Sequence, residues 1–190
     1  MDSGRLRLYA YMGLITPVVG FIVIFLAISS APWFSWTGNA LSDLGVRGTP
    51  ALIFNNGLML TATLMAVFCL GLRETEGGDS AGQVGWIMFL VASAFLLGVG
   101  VFPETAGRIH YYVSVGFFVS MPLALFAFTA HLYRGEERRL AILTVALGLF
   151  AALVWTPSWD GVAIPETASA LAVGVWAVAM SLRMLRKAEK

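Results

Sequence analysis

Charge is scarce in this chain and very unevenly spread. Acidic and basic residues make up 12% of the 190 residues, about half of the ~25% usual for a soluble domain. With 12 Lys and Arg against 11 Asp and Glu, the net charge is +1. A nucleic-acid partner therefore has no basic footprint to bind. There is one cysteine, Cys69, which excludes an internal disulfide and reads as a small apolar residue inside a helix. Histidine is nearly absent too. His110 and His131 are 21 residues apart, or about 32 Å along one helix. They cannot share a metal. Catalytic zinc takes three protein ligands, commonly including histidine. A site built from His110 with Asp43 and Glu104 or Glu166 is the conceivable remainder; no metal and no cofactor is expected.

What the chain does have is apolar sequence, 58% of it. No Asp, Glu, Lys or Arg lies between Arg7 and Asp43, Arg47 and Arg73, Asp79 and Glu104, Arg108 and Arg134, Arg139 and Asp160, or Glu166 and Arg183. A membrane-spanning helix needs about 20 mostly apolar residues. These gaps predict an all-α membrane protein: six transmembrane helices near 8–30, 50–72, 83–103, 109–132, 140–156 and 162–182, in one integral domain over 1–190. A soluble bundle of six buried helices would need a polar exterior, and this sequence has none to offer. The first apolar run follows Arg5 and Arg7 like a signal peptide. It is longer than the usual ~7–15-residue core of one, and the expectation is that it is retained.

Ten of the twelve basic residues fall at the two ends and in the second and fourth loops; only Arg47 and Arg108 lie in the other loops. The positive-inside rule then predicts a multi-pass cell-membrane protein with both termini cytoplasmic. The outward loops hold Asp43, Glu104, His110, Asp160 and Glu166, with Trp33, Trp36 and Trp159. Tryptophan suits the headgroup level, so an aromatic belt and a binding site explain these rings equally.

Each outward loop leads back into the membrane through a proline: Pro50, Pro103 and Pro165. The outcome is three helical hairpins. Twice the proline opens the same tetrapeptide, Pro-Glu-Thr-Ala, at 103–106 and 165–168. One reading is a good helix start: proline in the first turn, Glu104 or Glu166 near the positive end of the dipole, and Thr105 or Thr167 meeting free N–H groups. The other is functional. The charge-free run after Glu166 has 16 residues, or ~24 Å, against a ~30 Å hydrocarbon core. Glu166 is thus expected at or below the outer boundary, where an ionisable group faces the bundle interior.

More polar groups belong to the same end. Asn55 and Asn56 follow Pro50 at about 8 Å into the second helix. They serve either as interhelical glue or as ligand contacts, with side chains ~100° apart. His110 and Ser114 share a face four residues apart. The imidazole is either an interfacial group bonded to a carbonyl or headgroup, or a general base. Ser42, Asp43 and His110 supply the residue types of a hydrolase without a nucleophile-elbow motif. Glu104 with Glu166 would suit acid–base work if one were buried.

The run "NALSDLGVRGTPALIFNNGLML" carries a resemblance. Ser-Asp-Leu-Gly at 42–45, Phe54-Asn55, Gly57 and a histidine early in the fourth helix resemble the six-helix prokaryotic family called domain of unknown function 998. More distantly they are similar to the eukaryotic group of FGF-receptor-activating protein and damage-regulated autophagy modulator. The prokaryotic family carries no assigned activity; the eukaryotic group is linked to lipid remodelling or membrane lipid organisation. The resemblance implies Ser42, Asp43, Asn55 and His110 as a shared polar set and assigns nothing to Glu104 or Glu166.

The expected function is recognition or remodelling of a lipid or isoprenoid headgroup in a polar pocket at the extracytoplasmic face. Membrane lipid is the partner, and whether the protein is an enzyme stays open. His110, Asp43, Glu104 and Glu166 are the acid–base candidates. Ser42, Asn55, Asn56, Ser114, Trp159 and Asp160 are the binding candidates. The alternative is a non-catalytic transporter, receptor or assembly factor, which would need polar residues continuing to the cytoplasmic side. No oligomeric state follows from the sequence.

Overall fold

A computed structural model describes residues 3–189. The described residues form six α-helices: α1 (Ser3–Ser29), α2 (Gly48–Glu76), α3 (Ser80–Val101), α4 (Arg108–Arg134), α5 (Arg138–Leu153) and α6 (Ala163–Ala188). Two short 3-10 turns, Leu41–Gly45 and Glu104–Ala106, lie in the loops. Each helix packs on its neighbours in sequence, and α6 closes on α1. Short connections make neighbours antiparallel, so the three hairpins form one closed ring.

Five helices are long and apolar enough to cross a membrane: all but α5. The chain is accordingly a multi-pass membrane protein. The 16 residues of α5 give it ~24 Å. It packs along α6 between Ser169 and Arg183. Its Glu137 cap pairs with Arg183 at one end, and Trp155, just past its other end, donates to Ser169 Oγ at 3.0 Å.

Apolar exteriors such as those of Leu52, Ile142 and Leu153 are normal where lipid replaces water. Helices then adhere by close packing rather than by the hydrophobic effect. Gly57 shows this at the α1–α2 crossing. A Cβ there would lie 2.1 Å from Val23 of α1, so only hydrogen lets the backbones approach. Midway down the bundle, Phe68, Phe89, Phe128 and Trp176 are fully buried. Their rings meet at centroid distances of 5.1–6.5 Å, forming an aromatic plug.

The repeated Pro-Glu-Thr-Ala adopts two different structures. Residues 165–168 lie in the opening turns of α6, as the helix-start reading expects. Residues 103–106 form a separate 3-10 turn with Pro103 as its cap, and α4 starts beyond it. The cause is Gly107, whose φ of +64° breaks the helical path in a region open to glycine. Thr167 also departs from expectation: its hydroxyl donates back to Ala163 O at 2.7 Å rather than accepting from a free N–H.

The end of the ring opposite Asp43 holds the principal ion cluster among the described residues, which the sequence analysis did not anticipate. Glu76 is 1% exposed. It accepts from Arg183 Nη1, from Lys187 Nζ at 3.4 Å and from His131 Nε2 at 3.1 Å. His131 Nδ1 faces Asp79 Oδ1 at 3.0 Å. Both ring nitrogens thus meet carboxylates. Asp79 also caps α3 by accepting from Gly82 N at 2.7 Å. That backbone N–H and His131 hold its carboxyl below the usual range. Arg183, forked onto Glu137 at 2.5 and 2.7 Å, does the same to Glu137. The contribution of these two carboxylates is present at neutral pH and is lost as pH falls through their lowered values.

Breaking a buried ion cluster on one side strands the remaining charges. Glu76→Ala is expected to destabilise the protein by ~3–5 kcal/mol, read from denaturant or thermal unfolding in detergent. Glu76→Ala with Arg183→Ala should lose less than the sum of the single changes. Additive losses would mean that the pair is not coupled.

Candidate functional site

The opposite end is organised by the Leu41–Gly45 turn, which lies across the mouth of the ring. The side chains of Glu166, Asn55 and Asp43 hold it. Glu166, 9% exposed near the start of α6, accepts from Leu41 N through Oε2 at 2.6 Å. Asn55 of α2 donates to Gly45 O at 3.0 Å. Asp43 Oδ2 accepts from Ala40 N at 3.0 Å and from Asn39 Nδ2 at 2.6 Å. Asn39 O then accepts from Ala163 N at 2.9 Å, which ties the turn to α6 a second time. Ser-Asp-x-Gly makes sense here. Asp43 satisfies the backbone N–H that the tight turn frees. Gly45 leaves room for Asn55, whose Oδ1 would lie 2.5 Å from a Cβ there.

Glu104 adjoins Asp43 from the neighbouring turn. Partial loss of water, a shared hydrogen bond and the Asp43 charge push its pKa up to about 7. The Glu104 carboxyl can therefore keep a proton and donate it. His110, 7% exposed, anchors Nδ1 on Phe102 O at 2.7 Å and meets Ser114 Oγ with Nε2 at 3.2 Å. A carbonyl can only accept, so Nδ1 carries the proton. Nε2 of the neutral ring then accepts from the Ser114 hydroxyl. With both nitrogens engaged, the His110–Asp43 pairing considered from the sequence is not formed.

Beneath the turn lies a cavity of about 120 Å³, lined by α1, α2, α3, α4 and α6. A single water needs only ~10–15 Å³ by this measure. Its polar side chains are Thr16, Ser42, Thr61, Ser114 and Glu166. Thr16 and Thr61 bond back to the Met12 and Gly57 carbonyls at 2.7 and 2.8 Å. That leaves Ser42, Ser114 and Glu166, all at the Asp43 end. Everything else is apolar, down to Phe68 and Phe89, so the aromatic plug is the floor. From Phe54 to Phe68 along α2 is 14 residues, about 21 Å. The polar lining not bonded back to its own helix thus lies at the Asp43 end of the cavity.

The structure brings together Ser42, Asp43, Asn55, Glu104 and Glu166 around the turn, with His110 and Ser114 on α4. It does not bring in Asn56, which is exposed and donates to Leu52 O at 2.7 Å. Asp160 is exposed on the α5–α6 loop, and Trp159 donates to Val154 O at 3.0 Å within that loop. Sequence reasoning missed Asn39, which couples Asp43 to α6. A polar residue four positions before Asp43 was the available signal. It also missed the apolar lining, since a cavity wall and a packed core share one composition.

The family model described as "protein of unknown function (DUF998)" matches residues 14–183, from within α1 to Arg183 in α6. The chain belongs to that family. Searches among curated proteins and among solved structures found no significant match.

Two expectations follow from the turn. Glu166→Ala removes the acceptor for Leu41 N–H, whereas Glu166→Gln retains one. Losing such a bond costs about 1–3 kcal/mol, so the Leu41 amide should exchange hydrogen roughly tenfold faster or more in the alanine variant and near the native rate in the glutamine variant. Glu104 sits above its ordinary value of 4.5, at about 7. Its protonated form favours the folded state, so its contribution is full below 4.5 and is lost as pH rises through 7. Glu104→Gln should raise the melting temperature above neutral pH and flatten its pH dependence in that window. An unchanged profile would show that Glu104 does not titrate there.

Proposed function

We propose that this member of the DUF998 family binds a membrane lipid or isoprenoid, with its chain in the central cavity and its headgroup at the Asp43 mouth. The carrying observation is the asymmetry of one cavity: apolar over some 14 residues of α2, polar only where Ser42, Ser114 and Glu166 meet the turn. An apolar cavity stays dry and takes up apolar groups. A lipid matches such a site end for end.

The excess of Lys and Arg at the Glu76 end orients that end and both termini toward the cytoplasm. The mouth then opens at the outer leaflet of the cell membrane. In this reading α5 is the sixth crossing. Its ~24 Å is accommodated by local thinning and by Trp155 and Trp159 at its outer end. Paired carboxyls such as Asp43 and Glu104 suit a headgroup rich in hydroxyls or bearing an amine, because they offer both a donor and acceptors. A solute path through the bundle is disfavoured, since the buried ring of Phe68, Phe89, Phe128 and Trp176 separates the mouth from the Glu76 cluster.

Remodelling, rather than binding alone, has its own supporting observation in the Ser114–His110 bond. Serine activated by an adjacent histidine is the arrangement of acyl transfer. Ser114 Oγ would attack an ester carbonyl and pass its proton to His110 Nε2. The leaving alcohol would take that proton, and water would then release the acyl group.

The test is lipid retention. Native protein extracted in mild detergent should carry a co-purified lipid in its intact-mass spectrum. Ala170→Phe, which fills the cavity, should lose it while melting as a folded protein. Absence of any lipid from the native protein would count against binding. Lipid extracts from cells expressing the native chain or Ser114→Ala separate the two versions. Identical extracts would leave binding and remove remodelling.

A further inference from the structure

The membrane-facing surface between α1 and α6 carries a groove lined by Val18, Ile22, Phe25 and Leu26 of α1 and Leu171 and Val175 of α6. It is not a separate feature of the surface. Pro17, Phe21 and Gly174 line both this groove and the central cavity. The wall between lipid and cavity is therefore one side chain thick at that seam. We infer that the α1–α6 seam is a lateral portal through which a single hydrocarbon chain passes from the bilayer into the cavity. This rests on the lipid-binding reading and adds the route.

Three observations make this seam, rather than another, the route. First, α1 is the least embraced span: 22% of its most apolar stretch is buried inside the protein, against 39–44% in the other four. More of its surface already faces outward at the level of the groove. Second, Pro17 lies inside α1. Proline removes a hydrogen bond from the helical ladder and places a bend at that level. Third, Gly174 presents no side chain at the seam, and a Cβ there would lie 3.0 Å from Pro17 Cβ. A closed seam is thus held by a thin contact at mid-helix, where the surrounding bilayer is hydrocarbon. The groove runs from this level along α1 to Ser29, toward the Asp43 end. A lipid whose headgroup rests at the mouth would already lie along it. The occupant is hydrocarbon because the groove's lining is apolar apart from Ser29, whose hydroxyl is spent on Leu26 O at 2.8 Å.

A reversible clasp tests the route. Pro17→Cys with Gly174→Cys places two thiols across the seam, close to the ~3.5–4.5 Å Cβ separation of disulfides. The native Cys69 is buried and directed at Trp86 O at 3.1 Å, so it stays out of the exchange. Full-length protein in nanodiscs is given a long-chain fatty alcohol bearing a diazirine on its chain. After brief illumination, adducts are located by mass spectrometry. Native and reduced double-cysteine protein should be labelled on cavity residues such as Phe54 and Phe117. The oxidised protein should label there more than an order of magnitude more slowly and recover on reduction. Equal labelling of oxidised and reduced protein, with Ala170→Phe unlabelled, would overturn the portal and keep the cavity, the chain having entered past the turn. No cavity adduct in native protein after long incubation would overturn the lipid-binding reading itself, and the portal with it.

Discussion

Hydrocarbon forms no hydrogen bonds, so each polar group carried into it must find a partner within the chain. Most of this structure follows from that requirement. Hydroxyls along the spans turn back on their own helices. Thr16, Thr61, Thr129 and Ser120 each donate to a carbonyl one turn earlier, at 2.6–2.9 Å. Charges withdraw to the two ends of the ring. Among the described residues, two buried side-chain atoms find no partner, Trp176 Nε1 and Ser181 Oγ. The indole is held instead by the rings of Phe68, Phe89 and Phe128.

The same requirement gives the two ends different characters. At the Glu76 end, opposite charges condense into a compact network. A carboxylate 1% exposed is neutralised by Arg183, Lys187 and His131, and α2, α4 and α6 are fastened together. Full pairing leaves that network little capacity to meet anything else. At the Asp43 end the carboxylates outnumber their cationic neighbours, and backbone N–H groups serve as their partners. Such bonds hold a turn in shape while leaving oxygens and a hydroxyl available at a cavity mouth. The two ends thus differ in how their charges are partnered, with the aromatic plug between them.

Much of this was legible along the chain. Charge-free intervals located the helices, because burial in lipid tolerates almost no charge over ~20 residues. Ser-Asp-Leu-Gly next to an apolar helix marked the turn, and the shortness of the run behind Glu166 pointed it toward the bundle interior, where it is buried. What stayed hidden depended on neighbours distant in sequence. Nothing near Glu76 announces that Arg183, 107 positions away, will meet it. Four identical residues at 103–106 and 165–168 gave no hint that Gly107 would turn one copy into an isolated 3-10 turn.

Sequence alone thus settled where the long apolar helices lie, since hydropathy depends on the transfer energy of each residue and is local. It also grouped Ser42, Asp43, Asn55, Glu104, His110 and Glu166 at one end. Tertiary packing settled how those groups are spent. His110 is committed to Phe102 and Ser114 rather than to Asp43, Glu166 to the Leu41 amide, and Asn55 to the turn's carbonyl. It also hollowed a largely apolar cavity from residues that, by composition, would equally have filled it. The physical reason is that hydrogen bonds and voids depend on the relative placement of five or six helices, whereas hydropathy is a sum over one.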